Sequence, residues 1–209
     1  MTLKIHKIIV GMIETNCYII QDEESKDAII IDPGDNEDEI FEFINKHGIK
    51  HIPYIFYTHG HIDHVRANPK LKKLTNSKIA VHKNDVELIE NGELCGATYL
   101  GISYHEHSPD IVIQDKDEFE FSGNKIKVIH TPGHTQGCVC YLIDNYLFSG
   151  DTLFKSSVGR TDLYGGNYEM ILKSIKDKLF ILPDETKVFP GHGPETTIGK
   201  EKNSNPFFI

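Results

Sequence analysis

The stretch YTHGHIDHV, residues 57 to 65, places three histidines and one aspartate within six consecutive positions. It overlaps the end of IPYIFYT (52–58), an apolar run that is typical of a buried strand. His59 and His61 are two residues apart, so in extended chain both side chains leave on the same side and form a chelating pair. Asp63 and His64 follow at the expected start of a helix and point elsewhere, toward a second ion. The stretch predicts a metal site where a strand ends.

Three further strand ends carry polar side chains of the same kind. His134 lies in HTPGHTQG (130–137), Asp151 in FSGDTLF (148–154) and His192 in FPGHGPE (189–195). Loops that follow strands commonly carry function on a rigid scaffold. Imidazole and carboxylate ligands suit Zn²⁺, Fe or Mn, and no thiolate lies among these candidates. The four segments together predict a cluster of five imidazoles and two carboxylates.

The first half of the chain predicts strands followed by helices. NCYII (16–20) and DAIIID (27–32) are β-branched runs that predict an antiparallel pair. The next segment has helical periodicity, with Asn36 as the expected N-cap and Gly48 as a left-handed C-terminal stop. A further helix is expected to be interrupted near Pro69.

The second half repeats this pattern. Hairpins are expected to turn at 123–124 and 144–145, and a later amphipathic helix to be capped by Asn167. A last helix is expected to open with Pro194 in its first turn. Two facing sheets with helices outside would bury every apolar face found along the chain.

Bulk properties restrict the class of protein. With 209 residues and 39% hydrophobic content, a single domain over residues 1–209 is expected. The net charge of −9 and the absence of an Arg-rich block argue against a nucleic-acid partner. No leader segment or long apolar stretch is evident, so no membrane partner and a cytoplasmic location are expected. The four cysteines form no C-x-x-C pattern and are predicted to be reduced and structural.

The segments THGHIDH, TPGHTQGCVCY, LFSGDTLF and PGHGPET resemble the successive metal motifs of the metallo-β-lactamase superfamily. Within it, they are most similar to the glyoxalase II (hydroxyacylglutathione hydrolase)-like branch, from about residue 13 to the C-terminus. The resemblance implies an α/β protein, an αββα four-layer sandwich, with two divalent metal ions at one edge of the sheets. It assigns His59, His61 and His134 to the first ion, Asp63, His64 and His192 to the second, and Asp151 to both.

The predicted chemistry is hydrolysis. Two ions can share a water, lower its pKa toward neutrality and polarise a carbonyl oxygen, so a bridging hydroxide would be the nucleophile. Asp151 would bridge the ions, and Asp63 would be either a plain ligand or the group that orients the nucleophile. No G-x-S-x-G elbow is present. A thiol, with a pKa near 8.5, leaves readily without a general acid, and the resemblance implies a small-molecule 2-hydroxyacyl thioester as substrate. The oligomeric state is left open.

The segment KSSVGRTDLYGGN (155–167) carries the clue to the thiol portion of the substrate. The resemblance implies that Arg160 binds the carboxylate of glutathione, whereas an ion pair with Asp162 is the competing role. Only residues 193–209 follow the last ligand, so the C-terminal helical domain of the longer glyoxalase II enzymes is not expected. Another low-molecular-weight thiol is therefore an alternative to glutathione.

Other functions share these motifs. A mononuclear iron persulfide dioxygenase has the same ligands and the GRTD loop, and a lactonase or other metallo-hydrolase would differ mainly in pocket shape. A non-enzymatic metal-binding module would not require an open bridging site. His105 and His107 resemble a second chelating pair but are expected to lie on a solvated loop near the site. His130 is expected to pack at a strand end or to support a ligand.

Overall fold

The computed structural model describes residues 3–209, which form two six-stranded sheets. The strands of the first sheet lie side by side in chain order: β1 (Leu3–Val10), β2 (Thr15–Asp22), β3 (Ala28–Ile31), β4 (Tyr54–Phe56), β5 (Lys78–His82) and β6 (Ile111–Ile113). The second sheet has the spatial order β14-β13-β10-β9-β8-β7 and contains β7 (Glu118–Phe121), β8 (Asn124–His130), β9 (Val139–Ile143), β10 (Tyr146–Gly150), β13 (Lys187–Pro190) and β14 (Thr196–Thr197). A small hairpin joins β11 (Leu153–Phe154) to β12 (Ser157–Val158).

The helices are α1 (Glu37–Lys46), α2 (Ile62–Val65), α3 (Asn68–Thr75), α4 (Val86–Ile89), α5 (Ala97–Leu100), α6 (Tyr168–Ser174) and α7 (Ile198–Ser204). A 3₁₀ turn at Lys83–Asp85 precedes α4, and a π-helical segment at Ile175–Leu179 continues α6. Strands β3 to β6 pair in parallel, so the segments between them cross over one face of the first sheet. No helix within residues 3–209 is long and apolar enough to cross a membrane.

Alternation of side chains along the central strands produces the layers. In β3 all four residues are buried, but Ile30 packs toward the helices while Ile29 and Ile31 face the second sheet. Because successive side chains of a strand point to opposite faces, one apolar strand contributes to two cores. This is the reason the sheet can be covered on both sides.

Three apolar clusters separate four layers. The first includes Ile40, Ile44 and Leu71 of α1 and α3 against the first sheet. The second joins the two sheets, with Phe56 and Ile31 on one side and Tyr141 and Phe148 on the other. The third packs α6 and α7 against the outer face of the second sheet through Ile171, Ile198 and Val188. The architecture is therefore the predicted αββα sandwich. That residues 1–209 are a single domain stays a prediction.

Most of the predicted local features are confirmed. The β2–β3 pair is antiparallel, and β9 and β10 are joined by the two-residue turn at 144–145. Asn167 caps α6 by accepting a hydrogen bond from the backbone N–H of Met170. Gly48 has φ 64°, as expected of a left-handed helix stop, and the helical segment breaks before Pro69. All four cysteines are free and buried.

Several local expectations are wrong. Asn36 occupies the N-cap position of α1 as expected, but it adopts a left-handed conformation and its side chain makes no capping bond, since its Oδ1 accepts the backbone N–H of Gly11. The last helix begins at Ile198 and not at Pro194, because Thr196 and Thr197 pair with β13. The turn before β8 lies one residue earlier than expected, since residue 124 already pairs with Phe121. Strand β1 was not foreseen.

Candidate metal centre

The strand ends singled out in the sequence meet at one edge of the sandwich. Two residues separate the end of β4 from His59, and His134 lies four residues beyond the end of β8. Asp151 directly follows β10, and His192 lies just beyond β13. All seven predicted ligands are thereby brought together, and each is a side chain on a loop or short helix that a buried strand positions.

Three imidazoles form the first group of donors. The ligand atoms of His59, His61 and His134 all lie within 4.8 Å of one another. His61 Nδ1 is 2.9 Å from His134 Nε2. The Nδ1 of His59 donates to Thr58 Oγ1 at 3.1 Å, which leaves its Nε2 directed away from that contact. Three imidazole nitrogens around one point are a donor set that suits Zn²⁺ and other transition metals.

The second group of donors consists of Asp63, His64 and His192. His192 Nε2 lies 3.2 Å from Asp63 Oδ2 and 3.3 Å from His64 Nε2. His64 Nε2 lies 3.4 Å from the same Asp63 oxygen. This group adjoins the three-imidazole group, because the ligand atoms of His59, His64 and Asp151 also lie within 4.8 Å of one another.

Asp151 lies between the two groups. Its Oδ1 is 3.4 Å from His64 Nε2, and its Oδ2 is 3.6 Å from both His134 Nε2 and His192 Nε2. One carboxylate thus contacts members of both groups, which is the arrangement expected of a bridging ligand. Gly191 permits it, because a Cβ at that position would collide with Asp151 Oδ1 and crowd the ring of His64.

Two buried polar atoms fit a bound cation. Among residues 3–209, His59 Nε2 and Asp151 Oδ1 are the buried side-chain N and O atoms without a hydrogen-bond partner. An unpaired buried polar atom costs free energy, and both of these atoms belong to the candidate ligand set. A divalent ion would supply the missing partner of each.

The electrostatics of the two groups differ. Burial, reinforced by the neighbouring imidazoles, lowers the pKa of His59 well below its usual value and that of His61 to about 3. Burial also opposes a charge on His64, but Asp63, Asp151 and Asp32 outweigh it and raise the pKa of His64 well above its usual value. The first group therefore offers neutral nitrogen lone pairs, while the carboxylates of the second create a field that favours a cation.

Four ligand imidazoles are fixed through Nδ1. Besides the His59–Thr58 contact, His64 donates to Asp32 at 3.0 Å, His134 to the backbone oxygen of Arg160 at 2.7 Å, and His192 to that of Ile13 at 3.2 Å. A hydrogen bond at one ring nitrogen fixes the tautomer and leaves Nε2 free to bind a metal. Asp32 also accepts the backbone N–H and hydroxyl of Thr58.

Asp85 connects two of the loops that carry ligands, one with His59 and His61 and the other with His134. It accepts hydrogen bonds from the backbone N–H of Gly60 at 2.9 Å and of Gly137 at 2.7 Å, and from Thr135 Oγ1 at 2.6 Å. Burial raises the pKa of Asp85, and these three bonds oppose the shift. One carboxylate therefore sets the separation between the loop of His59 and His61 and the loop of His134.

The sequence reasoning missed Asp32, Asp85 and Thr15, whose hydroxyl donates to Asp63 Oδ2 at 3.0 Å. A signal existed for Asp32, since it follows the apolar run AIII just as the ligands follow theirs. The other two residues have no comparable local pattern. They are found only because the fold brings distant segments together.

The remaining histidines lie outside the centre. His107 contacts the hydroxyl of Tyr57 at 2.7 Å, His105 is exposed, and neither lines the cavity at the site. Their loop therefore does not form part of the mouth. His130 stacks on His82 with ring centroids 4.0 Å apart, which confirms a packing role at a strand end.

A cavity of about 670 Å³ opens over the centre and is lined by His61, Asp63, His134, Asp151 and His192. Arg160 also lines this cavity. Its guanidinium pairs with Asp162 through two contacts, Nε to Oδ1 at 2.7 Å and Nη2 to Oδ2 at 2.8 Å. The structure thus shows the ion pair that competed with carboxylate binding as a role for Arg160, and of the two partners Arg160 lines the cavity.

Comparison with known proteins identifies the family. Residues 10–192 match the model of the metallo-β-lactamase superfamily, and the chain belongs to that superfamily. Its fold and its cluster of histidine and aspartate side chains are those of a metallo-hydrolase of this superfamily.

Relatives of similar length support the assignment. The chain is 42% identical over 201 residues to an uncharacterized protein of Aquifex aeolicus, covering 95% of this chain and 93% of that one. It is 34% identical over 209 residues to a Haemophilus influenzae protein named hydroxyacylglutathione hydrolase GloC, covering 98% of each chain.

Solved structures agree. BLEG-1, described as a B3 metallo-β-lactamase, superposes with a TM-score of 0.94 at 33% identity, over 99% of this chain and 100% of that one. TTHA1623, described in a di-iron-bound form, superposes with a TM-score of 0.86 at 33% identity, over 97% of this chain and 99% of that one. ETHE1 from Myxococcus xanthus superposes with a TM-score of 0.83 at 27% identity, over 99% of this chain and 88% of that one.

Proposed function

We propose that this protein hydrolyses 2-hydroxyacyl thioesters at a centre of two divalent metal ions, most simply Zn²⁺, with Fe or Mn as alternatives. The observation that carries the proposal is the position of Asp151, whose two carboxylate oxygens contact His64 on one side and His134 on the other. A single four-coordinate ion would leave three of the seven clustered donors unused. Two ions use all of them.

The residues divide between the ions as follows. His59, His61 and His134 would hold the first ion, Asp63, His64 and His192 the second, and Asp151 both. When bound, two such ions make a nucleophile from water near neutral pH and polarise a carbonyl oxygen. The open cavity gives a small acyl compound access to the centre.

Within the centre, Asp63 would orient the attacking water. Thr15 donates to its Oδ2, and His192 Nε2 lies 3.2 Å from that oxygen, so the carboxylate is fixed. A fixed carboxylate accepts a hydrogen bond from the water and directs its lone pair toward the acyl carbon. We therefore assign Asp63 and Asp151 as the catalytic carboxylates, Asp63 for orientation and Asp151 for bridging.

A thioester has a leaving group that needs no proton donor. Water adds to the acyl carbon and the C–S bond breaks, so that the products are a hydroxy acid carboxylate and a thiolate, with two protons released to solvent. Because a thiol has a pKa near 8.5, the thiolate leaves without a general acid. Cys95 lines the cavity, but burial raises the pKa of its thiol and Sγ contacts the backbone oxygen of Gly92, so it is a poor nucleophile. A covalent route is not required.

The relatives are consistent with this reaction class, since the Haemophilus protein is named a hydroxyacylglutathione hydrolase. The name of another neighbour points to a β-lactam as an alternative substrate, since BLEG-1 is described as a B3 metallo-β-lactamase. Oxidation of a persulfide is the alternative that the sequence motifs themselves leave open. The two donor groups and the bridging Asp151 favour two ions over the single iron of a persulfide dioxygenase.

One assay panel tests the proposal. Metal-loaded protein is given S-lactoyl thioesters, a β-lactam, a lactone and glutathione persulfide, and release of thiol or acid and uptake of oxygen are measured. We expect thioester hydrolysis to dominate and to disappear in His134→Ala. Dominant oxygen uptake with the persulfide, or faster turnover of the β-lactam or lactone, would contradict the proposal.

A further inference from the structure

The wall of the cavity beyond the metal centre is largely apolar. Its apolar side chains come from separate segments that surround the opening: Ile13, Tyr99, Leu100, Phe154, Leu163 and Tyr164. Tyr99 is 88% exposed and Tyr164 is 49% exposed. Large apolar side chains that gather around a cavity while exposed to solvent indicate a ligand that covers them.

The charges at the same cavity are unevenly distributed. Apart from the metal ligands, the charged side chains of its lining within residues 3–209 are Arg160 and Glu93. The single cation is already paired, since Asp162 holds both Nε and Nη2 of Arg160. The bidentate pair occupies the Nε–Nη2 edge of the guanidinium, one of the two edges at which a carboxylate can bind, and it places a negative charge beside the other.

From these two observations we infer that the cavity selects thioesters whose thiol portion is uncharged and apolar, and that Asp162 is a specificity-determining residue. The inference rests on the proposed function. A thiol portion bearing a carboxylate must displace Asp162 from Arg160 or approach it against its negative charge. An apolar thiol portion instead covers Tyr99, Leu163 and Tyr164 without disturbing the pair.

Two roles of Arg160 are compared: paired with Asp162, as inferred here, or binding a carboxylate of the substrate. Substitution of Asp162 distinguishes them, whereas substitution of Arg160 does not. Arg160→Ala weakens the binding of an anionic thioester in either case, because it removes the cation that binds the carboxylate or leaves the charge of Asp162 unpaired. Asp162→Asn keeps the size of the side chain and removes its charge, which frees the guanidinium. If Asp162 excludes carboxylates, this variant must raise kcat/KM for the anionic substrate relative to kcat/KM for the apolar one.

The test uses two thioesters of nearly the same shape, S-lactoyl mercaptopropionate and S-lactoyl isopentanethiol. They differ in that two methyl groups replace the carboxylate oxygens. In the wild type we expect kcat/KM about tenfold higher for the isopentyl compound, since two buried methyl groups contribute roughly that factor. In Asp162→Asn the ratio of the two kcat/KM values should shift about fivefold in favour of the carboxylate compound. A shift of this size corresponds to the free energy of an exposed charge pair.

Asp38→Asn is the matched control, because Asp38 forms an exposed pair with Lys70 at 2.6 Å and does not line the cavity. It changes the net charge equally, so the substrate ratio should stay at the wild-type value. Dissociation constants of the two non-hydrolysable thioether analogues give a readout that does not depend on turnover.

The outcomes separate the two proposals. Hydrolysis of both thioesters with a preference for the carboxylate, or with a ratio that Asp162→Asn does not change, overturns this inference and leaves the proposed function standing. Absence of hydrolysis combined with selective binding of the apolar analogue supports the inference and overturns the proposed function. Absence of both hydrolysis and selective binding overturns both.

Discussion

The buried ring of His64 lies against the buried carboxylate of Asp32, with Nδ1 3.0 Å from Oδ2. The same oxygen accepts the hydroxyl of Thr58, whose Oγ1 in turn contacts the ring of His59. A single carboxylate at the end of β3 therefore orients imidazoles of both donor groups. This contact connects the end of an apolar strand to the geometry of the centre.

Asp32→Asn should weaken metal binding without removing a ligand. The two oxygens of Asp32 accept three hydrogen bonds, from the backbone N–H and hydroxyl of Thr58 and from His64. An amide replaces one of these oxygens with a donor and cannot accept all three, so the affinity for Zn²⁺ should fall by about 10–100-fold. Competition with a chromogenic chelator measures it. Asp22→Asn is the control, since Asp22 is a buried strand-end aspartate that contacts Glu24 and Ser25. Equal affinities in the two variants would show that Asp32 does not orient the ligands.

His134→Ala should abolish thioester hydrolysis, with a loss of at least about 100-fold, since even partners of the ligands contribute up to that factor. The matched control is His105→Ala, because His105 is exposed and outside the cavity lining. Rates are compared at equal protein concentration, with circular dichroism to confirm the fold. Comparable rates in both variants would remove His134 from the ligand set.

Asp85→Ala should destabilise the fold by about 2–4 kcal/mol. It leaves the buried donors of Gly60, Gly137 and Thr135 without an acceptor, and each unsatisfied donor is costly. Asp85→Asn retains one acceptor oxygen, so its free energy of unfolding should fall by less. Urea unfolding of metal-free protein measures both. An unfolding free energy within about 0.5 kcal/mol of the wild type for Asp85→Ala would mean that the loops are held by other contacts.

The stacked rings of His82 and His130 predict a loss of stability in acid. Burial, the neighbouring His130 and Lys83 lower the pKa of His82 to about 4. An unfolded His82 takes up its proton near pH 6.5, so its neutral folded form favours folding above that pH. That contribution is lost as the pH falls from about 6.5 to about 4. NMR titration of the His82 ring checks it, and an ordinary pKa near 6.5 would refute the prediction.

Sequence patterns sufficed wherever a side chain's role depends on its own strand. The ligands His59, Asp151 and His192 each follow an apolar run, and the layers follow from runs such as AIII that are buried on both faces. The supporting contacts depend on the tertiary fold and left no local pattern. Asp85 and Thr135 are 50 residues apart, and Thr15 and Asp63 are 48 apart.

Where a local signal was misleading, tertiary pairing had overridden it. The proline at 194 predicted a helix start, but Thr196 and Thr197 extend the second sheet, so the helix begins only at Ile198. Asn36 has the side chain of an N-cap but bonds to the backbone of Gly11. Backbone pairing and a contact between loops each outweigh a helix-capping preference of about 1 kcal/mol.

The most direct test of the central claim is a metal titration of chelator-treated protein in which S-lactoyl thioester hydrolysis is measured at each addition. Because Asp151 lies between two groups of donors, we predict that activity rises until about two ions are bound per chain and then stays constant. Activity that is complete at one ion per chain, or no thioester hydrolysis at any occupancy, would contradict a two-metal thioester hydrolase.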